Sequence, residues 1–133
     1  MLLNFEHVGV TVSDIDKSLH FYCDLIGMNF RLRRPTPNGQ GEVAFVEAAG
    51  AQLELIKTSD SVTTPARRPA DTEAGVRHLT FNFDDMDAMF DKLVAEGVPV
   101  VEKPRDAYNR DILKRVAFVL DPDGVVIELA QRP

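Results

Sequence analysis

The stretch HVGVTVSDID at 7–16 returns as HLTFNFDDMD at 78–87, with Asp14 and Asp16 matched by Asp85 and Asp87. Working outward, VAFV at 43–46 recurs unchanged at 116–119, and GAQLELI at 50–56 aligns with GVVIELA at 124–130. Each copy therefore reads His, acidic turn, VAFV, Gly, Glu, and sets His7 and Glu54 against His78 and Glu128. A unit written twice at this period signals two copies of one supersecondary module.

Periodicity decides what each copy folds into. Val8, Val10 and Val12 alternate with His7, Gly9 and Thr11, and Leu79, Phe81 and Phe83 alternate with His78, Thr80 and Asn82. Alternation of this kind is the mark of a half-buried strand, with the histidines opposite the apolar face. Ser13-Asp14 and Asp84-Asp85 then open helices. Apolar residues follow at helical spacing, Ile15, Leu19, Tyr22 and Ile26 in one copy and Met86, Phe90, Leu93 and Val94 in the other, and Gly27 and Gly97 close the helices. Strands are expected at 28–34, 42–48 and 51–57, then at 98–102, 115–120 and 125–130, with DPDG at 121–124 turning the last pair. The class is α+β: strand, helix and three strands, twice over. Residues 58–75, TSDSVTTPARRPADTEAG, form a polar linker between modules at about 1–58 and 76–133, long enough to lie over a site.

With 133 residues, 44% of them hydrophobic, the chain is long enough for one domain with a core. A formal net charge of −6 argues against a nucleic-acid partner. No run approaches the roughly 20 apolar residues of a membrane span, and the amino terminus lacks a charged region followed by an apolar one. The single Cys23, in an apolar helix, is expected to be a small buried side chain, and one cysteine fits a reducing cytoplasm.

A lone strand histidine is more often a hydrogen-bonded or surface residue than a ligand. Here two of three histidines open the two copies, and each glutamate stands four residues after an equivalent glycine. His20, near the surface of the first helix, falls outside that pattern and reads as structural. Two imidazoles and two carboxylates suit a borderline divalent metal, with up to two open positions on an octahedral ion. His7, Glu54, His78 and Glu128 are thus the candidate ligands, and the donor set admits nickel, cobalt, zinc, manganese or iron. Arg31, Arg33, Arg34, Arg67, Arg68, Arg110, Lys114 and Arg115 fall in segments that could border the site, and predict a small anionic substrate.

HVGVTVSDIDKSLHFYCDLIGM (7–28), VAFVEAAGAQLELI (43–56), RHLTFNFDD (77–85) and AFVLDPDGVVIEL (117–129) together resemble the vicinal oxygen chelate superfamily, which contains glyoxalase I, epimerases, extradiol dioxygenases and drug-binding proteins. The resemblance implies paired βαβββ modules in an open, curved eight-stranded mixed sheet around one divalent metal, with the four residues above as ligands. An acid at the position of Glu54 favours the glyoxalase-like branch, since dioxygenases and thiol transferases use three ligands and epimerases usually carry Gln there. The implied activity is a metal-dependent lyase or isomerase that abstracts a proton beside a carbonyl and stabilises a metal-bound enediolate. Glu128 is the implied base and Glu54 its partner across the site. The substrate would be a small anionic, thioester- or hemithioacetal-like molecule. Compact glyoxalases build the site from modules of two chains, which implies a homodimer. The chain departs from that branch at Thr11, where those enzymes have Arg, at Thr58, where they have Asn, and at AYNRDILKR (107–115), which replaces a glycine-rich loop. A binding protein of the same fold is the second reading and a ring-cleaving dioxygenase the third.

Overall fold

The computed structural model describes residues 1–60 and 67–133. The chain divides into two compact units, Met1–Thr64 and Pro65–Pro133. Unit 1 runs β1 (His7–Thr11), α1 (Ile15–Leu19) continued by a π-helical turn (His20–Leu25), β2 (Asn29–Pro35), β3 (Glu42–Ala48) and β4 (Ala51–Lys57). Unit 2 runs β5 (Leu79–Asn82), α2 (Met86–Ala95), β6 (Val100–Asp106), β7 (Arg115–Leu120) and β8 (Val126–Gln131). Each is a βαβββ module with a four-stranded mixed sheet, ordered β1-β4-β3-β2 in one and β5-β8-β7-β6 in the other. The first strand of each module pairs parallel to the last, and the remaining pairs are antiparallel. The α+β reading and the doubled βαβββ order both hold. The central part of the predicted linker, 61–66, lies outside the described residues.

The acidic helix starts behave as capping chemistry requires. Asp14 accepts from the Lys17 amide at 3.0 Å and Asp85 from the Ala88 amide at 3.0 Å, each satisfying a donor that a helix leaves free. Leu53 and Leu55 of β4 and Ile127 and Leu129 of β8 are buried, as alternation predicts.

Four local expectations need correction. The first helix does not keep a 3.6-residue pitch: Ile26 donates to the Phe21 carbonyl, five residues back, at 2.9 Å. Widening there lets Phe21, Tyr22, Leu25 and Ile26 all be buried, while Leu19 is only half-buried and Ser18 takes its place inside. In α2, Met86, Phe90 and Leu93 face the core and Val94 is exposed. The strand expected at 98–102 is β6 at Val100–Asp106; it runs through Pro104 because β6 is an edge strand whose register shifts, and an edge needs no further amide donor. Cys23 is half-buried rather than buried, and burial raises its thiol pKa.

The matched acids Asp16 and Asp87 each tie a helix to its sheet. Arg33 of β2 donates to Asp16 at 2.6 Å and forks onto Glu42 at 2.7 and 2.8 Å. Arg115 of β7 forks onto Asp87 at 2.8 and 2.6 Å. Bidentate pairs of this kind fix geometry better than single charges do. Hydrogen bonds from Arg115 hold Asp87 below its ordinary 3.8, and those from Arg33 hold Glu42 below its ordinary 4.5. A depressed carboxylate stabilises the fold above its unfolded pKa and stops doing so as pH falls through the folded value. Melting temperature should therefore drop below about pH 5. Arg115→Met and Arg33→Met should flatten that drop, and unchanged acid profiles would remove the pairs from the account of stability.

Among the described residues, no helix is long and apolar enough to cross a membrane.

Candidate metal centre

In unit 1, β1 lies parallel to β4 with His7 opposite Gln52 and Gly9 opposite Glu54. His7 and Glu54 are therefore diagonal neighbours on one sheet face, and His7 Nε2 stands 3.1 Å from Glu54 Oε2. In unit 2, Thr80 is opposite Glu128, and His78, one residue before β5, brings its Nε2 to 3.0 Å from Glu128 Oε2. The same strand pairing thus yields the same His–Glu couple twice. Among the described residues, no group of three or more His, Cys, Asp and Glu side chains is placed to hold an ion. What the fold brings together is two pairs.

Each pair leans on a phenylalanine that alternation and register aim at the glutamate. Phe45 of β3 is the register partner of Glu54, and its ring meets His7 edge-on at 5.5 Å between centroids. Phe118 of β7 is the partner of Glu128, and meets His78 at 5.5 Å. Both are the third residue of VAFV. The repeat of that tetrapeptide was the signal for them, and the sequence reading used it for alignment alone.

The two halves differ in their supports. Glu6 binds His7 Nδ1 and is held in turn by Gln52 Nε2 at 2.9 Å, and Gln52 Oε1 accepts from Arg31 at 2.5 Å. The Glu6 hydrogen bond raises the His7 pKa, and the same bond lowers that of Glu6. An imidazole held at Nδ1 by a carboxylate is oriented with Nε2 outward, the usual outer partner of a metal-bound histidine. In unit 2 the support falls on the carboxylate: Thr80 Oγ1 donates to Glu128 Oε2 at 2.6 Å. Glu128 is also the better buried, its side chain 11% exposed against 25% for Glu54. The sequence reading did not find Glu6 or the Thr80 bond. His20, exposed, is paired at 2.8 Å with Asp24 and takes no part.

The donors fit a divalent ion. Two ligands about 2.1 Å from one ion and at right angles to each other lie about 3 Å apart, close to the spacing within each pair. Imidazole nitrogen with carboxylate oxygen is a borderline donor set, suited to first-row divalent ions.

Beside His78, a cleft of about 490 Å³ is lined by Arg68, Arg77, Arg105, Tyr108 and Phe118 among others. The Arg105 guanidinium lies 4.1 Å from the centre of the Tyr108 ring, a cation–π stack. Arg68 comes from the described part of the predicted linker, and Tyr108 from the segment 107–115. That segment also flanks Glu128, where Arg105, Tyr108, Ile112 and Leu113 line a smaller hollow. The broad basic border expected from sequence is narrower in the fold. Arg33 and Arg115 are engaged on their helices, Arg67 pairs with Glu73, and Arg110 with Asp106.

Comparisons with known proteins bear on the family of the chain. A probable lactoylglutathione lyase of Synechocystis sp. is 34% identical over 129 residues, covering 94% of this chain and 92% of that protein. A probable lactoylglutathione lyase of Vibrio cholerae is 32% identical, covering 94% and 88%. TnmS3, an antibiotic binding protein from Streptomyces sp. CB03234, superposes with a TM-score of 0.70 at 28% identity, covering 99% of this chain and 98% of that one. The pattern of one family spans residues 4–129, nearly the whole of both modules. With its doubled βαβββ fold, the chain belongs to the Glyoxalase/Bleomycin resistance protein/Dioxygenase superfamily.

Proposed function

We propose that the chain is a metal-dependent lyase or isomerase of the glyoxalase I type, working as a homodimer in the cytoplasm. The observation that carries this reading is the pair of matched His–Glu couples, His7 with Glu54 and His78 with Glu128, each at 3.0–3.1 Å beside a phenylalanine. Similarity to two proteins named probable lactoylglutathione lyase supports it. These four side chains would hold one divalent ion per site. Bound there, such an ion would serve as a Lewis acid toward adjacent substrate oxygens and acidify the carbon beside them. Glu54 and Glu128 are the carboxylates available to take the proton from that carbon and return it to its neighbour. Phe45 and Phe118 pack edge-on against His7 and His78 and help hold each imidazole in place. Arg68 and Arg105, lining the cleft beside His78, suit the anionic end of a carboxylate, thioester or hemithioacetal substrate.

A homodimer is supported by the apolar surface that unit 1 exposes at Leu2, Leu3, Phe5 and Phe30, and unit 2 at Val76, Val100, Val101 and Ile112. Thr11, Thr58 and the segment 107–115 alter the positions that hold glutathione in the compact enzymes the chain resembles, so the thiol portion of the substrate is left open.

A second reading, capture of a drug or metabolite without chemistry, is favoured by the likeness to the antibiotic binding protein and by the aromatic lining of the unit 2 cleft. Metal-loaded protein offered glutathione hemithioacetal or an acyl-CoA epimer in deuterated water separates the readings. Deuterium entering the carbon beside the carbonyl is the expected result. Tight binding without exchange would establish the binding protein, and dioxygen consumption without exchange the dioxygenase.

A further inference from the structure

In unit 2, strand β6 runs into a loop closed on itself. The Ala107 amide donates to the Lys114 carbonyl at 3.1 Å, and the Ile112 and Leu113 amides both donate to the Asn109 carbonyl, at 3.2 and 3.1 Å. A loop tied in this way holds its side chains in place, yet it presents Tyr108 and Ile112 to solvent, 92% and 63% exposed. Arg105 braces it from the strand: the guanidinium donates to Glu102 at 2.5 Å and stacks on the Tyr108 ring at 4.1 Å. Both residues of this stack line two hollows at once. One, of about 490 Å³, has His78 in its wall, and the other, of about 240 Å³, has Glu128. His78 Nε2 and Glu128 Oε2 are 3.0 Å apart, so the two hollows flank one His–Glu couple. Their chemistry differs. In the larger cleft Arg77 is paired with Asp71 and Arg105 with Glu102, which leaves Arg68 as a cation with no ion pair among the described residues. The smaller hollow is walled by Ala107, Ile112, Leu113 and Val116.

We propose that the Arg105–Tyr108 stack sorts the two arms of the substrate, a carboxylate toward Arg68 in the cleft beside His78 and an apolar arm against Ile112 and Leu113 in the hollow beside Glu128. The ligand class is a carbonyl compound with a carboxylate arm on one side of the carbonyl carbon and an apolar group on the other. An apolar cavity of about 150 Å³ admits benzene, so the smaller hollow has room for a phenyl group. A carboxylate placed there would lose water beside the Glu128 carboxylate, so the reversed orientation is disfavoured. The inference rests on reading the His–Glu couples as the reacting centre of a lyase or isomerase. It deepens that reading by naming what the substrate carries on each side, and it makes Arg68, Tyr108 and Ile112 the specificity-determining residues.

Calorimetry on the full chain with zinc present tests this with three probes. β-Benzoylpropionate has both arms, levulinate replaces the phenyl by methyl, and β-benzoylpropionamide replaces the carboxylate by a neutral amide. The first should bind at least about 10-fold tighter than levulinate, since a single methylene in a fitted pocket is already worth about 10–200-fold. Its advantage over the amide should be at least about as large, the worth of a hydrogen bond to a charged group. Ile112→Asp should erase the preference over levulinate, and Ile112→Ala should lower it. Arg68→Gln should erase the preference over the amide and leave the phenyl-to-methyl ratio as it was. Tyr108→Ala should reduce both preferences, and Tyr108→Phe, which keeps a ring against the guanidinium, should restore them. All three positions are exposed, and circular dichroism on each variant separates misfolding from loss of a contact. Equal binding of the three probes, binding of none, or preferences that Ile112→Asp and Arg68→Gln both leave unchanged would overturn the two-arm assignment. Deuterium exchange beside the carbonyl of β-benzoylpropionate, read on the same samples, is judged separately. Both preferences without exchange would favour the binding protein and leave the two arms standing, whereas exchange without preferences would overturn the two arms alone.

Discussion

Two chains that each fail to hold a divalent ion, one carrying His7→Ala and the other His78→Ala, are expected to recover metal binding when refolded together. Loss of an outer-shell partner costs about 10–100-fold in affinity, and loss of a ligand itself costs at least as much. Each variant alone should therefore bind weakly, because every site it can form lacks an imidazole. If a site takes one His–Glu couple from each of two chains, a mixed dimer holds one site with both histidines missing and one with both intact. Chelator competition on the isolated heterodimer should show the intact site at native affinity. If sites form within one chain, every site in the mixture keeps one defect and nothing is recovered. A metal-free heterodimer, with dimer formation confirmed by sedimentation, would end the two-chain assembly.

The second large effect concerns proton transfer. Glu128→Gln should cut solvent-deuterium exchange into substrate by about 10²–10⁴-fold, the range general acid–base catalysis supplies, at saturating metal. An amide can still ligate weakly but cannot take a proton, so this variant should keep most of its metal. Glu54→Gln should be milder, because an amide at that position still ligates and the base across the site is kept. Metal content and exchange rate measured on the same samples separate the two effects. Full exchange in Glu128→Gln would remove Glu128 as the base and give that role to Glu54.

Much of the fold was legible in the residues because it depends on short-range periodicity. Strands at 42–48, 51–57 and 115–120 were read to the residue, since each alternates cleanly and ends at a turn. Asp14 and Asp85 were recognisable as caps because that chemistry lies within three residues. The π-helical turn at His20–Leu25 was not legible: Phe21, Tyr22, Leu25 and Ile26 satisfy a 3.6-residue pitch nearly as well, and packing selects the wider one. Pro104 hid the length of β6, because only the strand order reveals that it lies at an edge.

At the candidate site, the repeat by itself determined which four residues correspond, and alternation determined that each shares a face with its partner. That much needs only two copies and a period of two. Which histidine meets which glutamate, and what braces them, was decided by the tertiary structure. The parallel registers of β1 on β4 and β5 on β8 bring together residues 47 and 50 positions apart, and a one-residue slip would have sent one partner to the opposite face. The same registers set Thr80 against Glu128 and Gly9 against Glu54. Ion pairing to Asp16 and Asp87 drew Arg33 and Arg115 onto the helices, a choice among many acidic partners that charge composition leaves open. Strand pairing across long separations is settled by the packing of whole faces at once, and no local pattern carries that information.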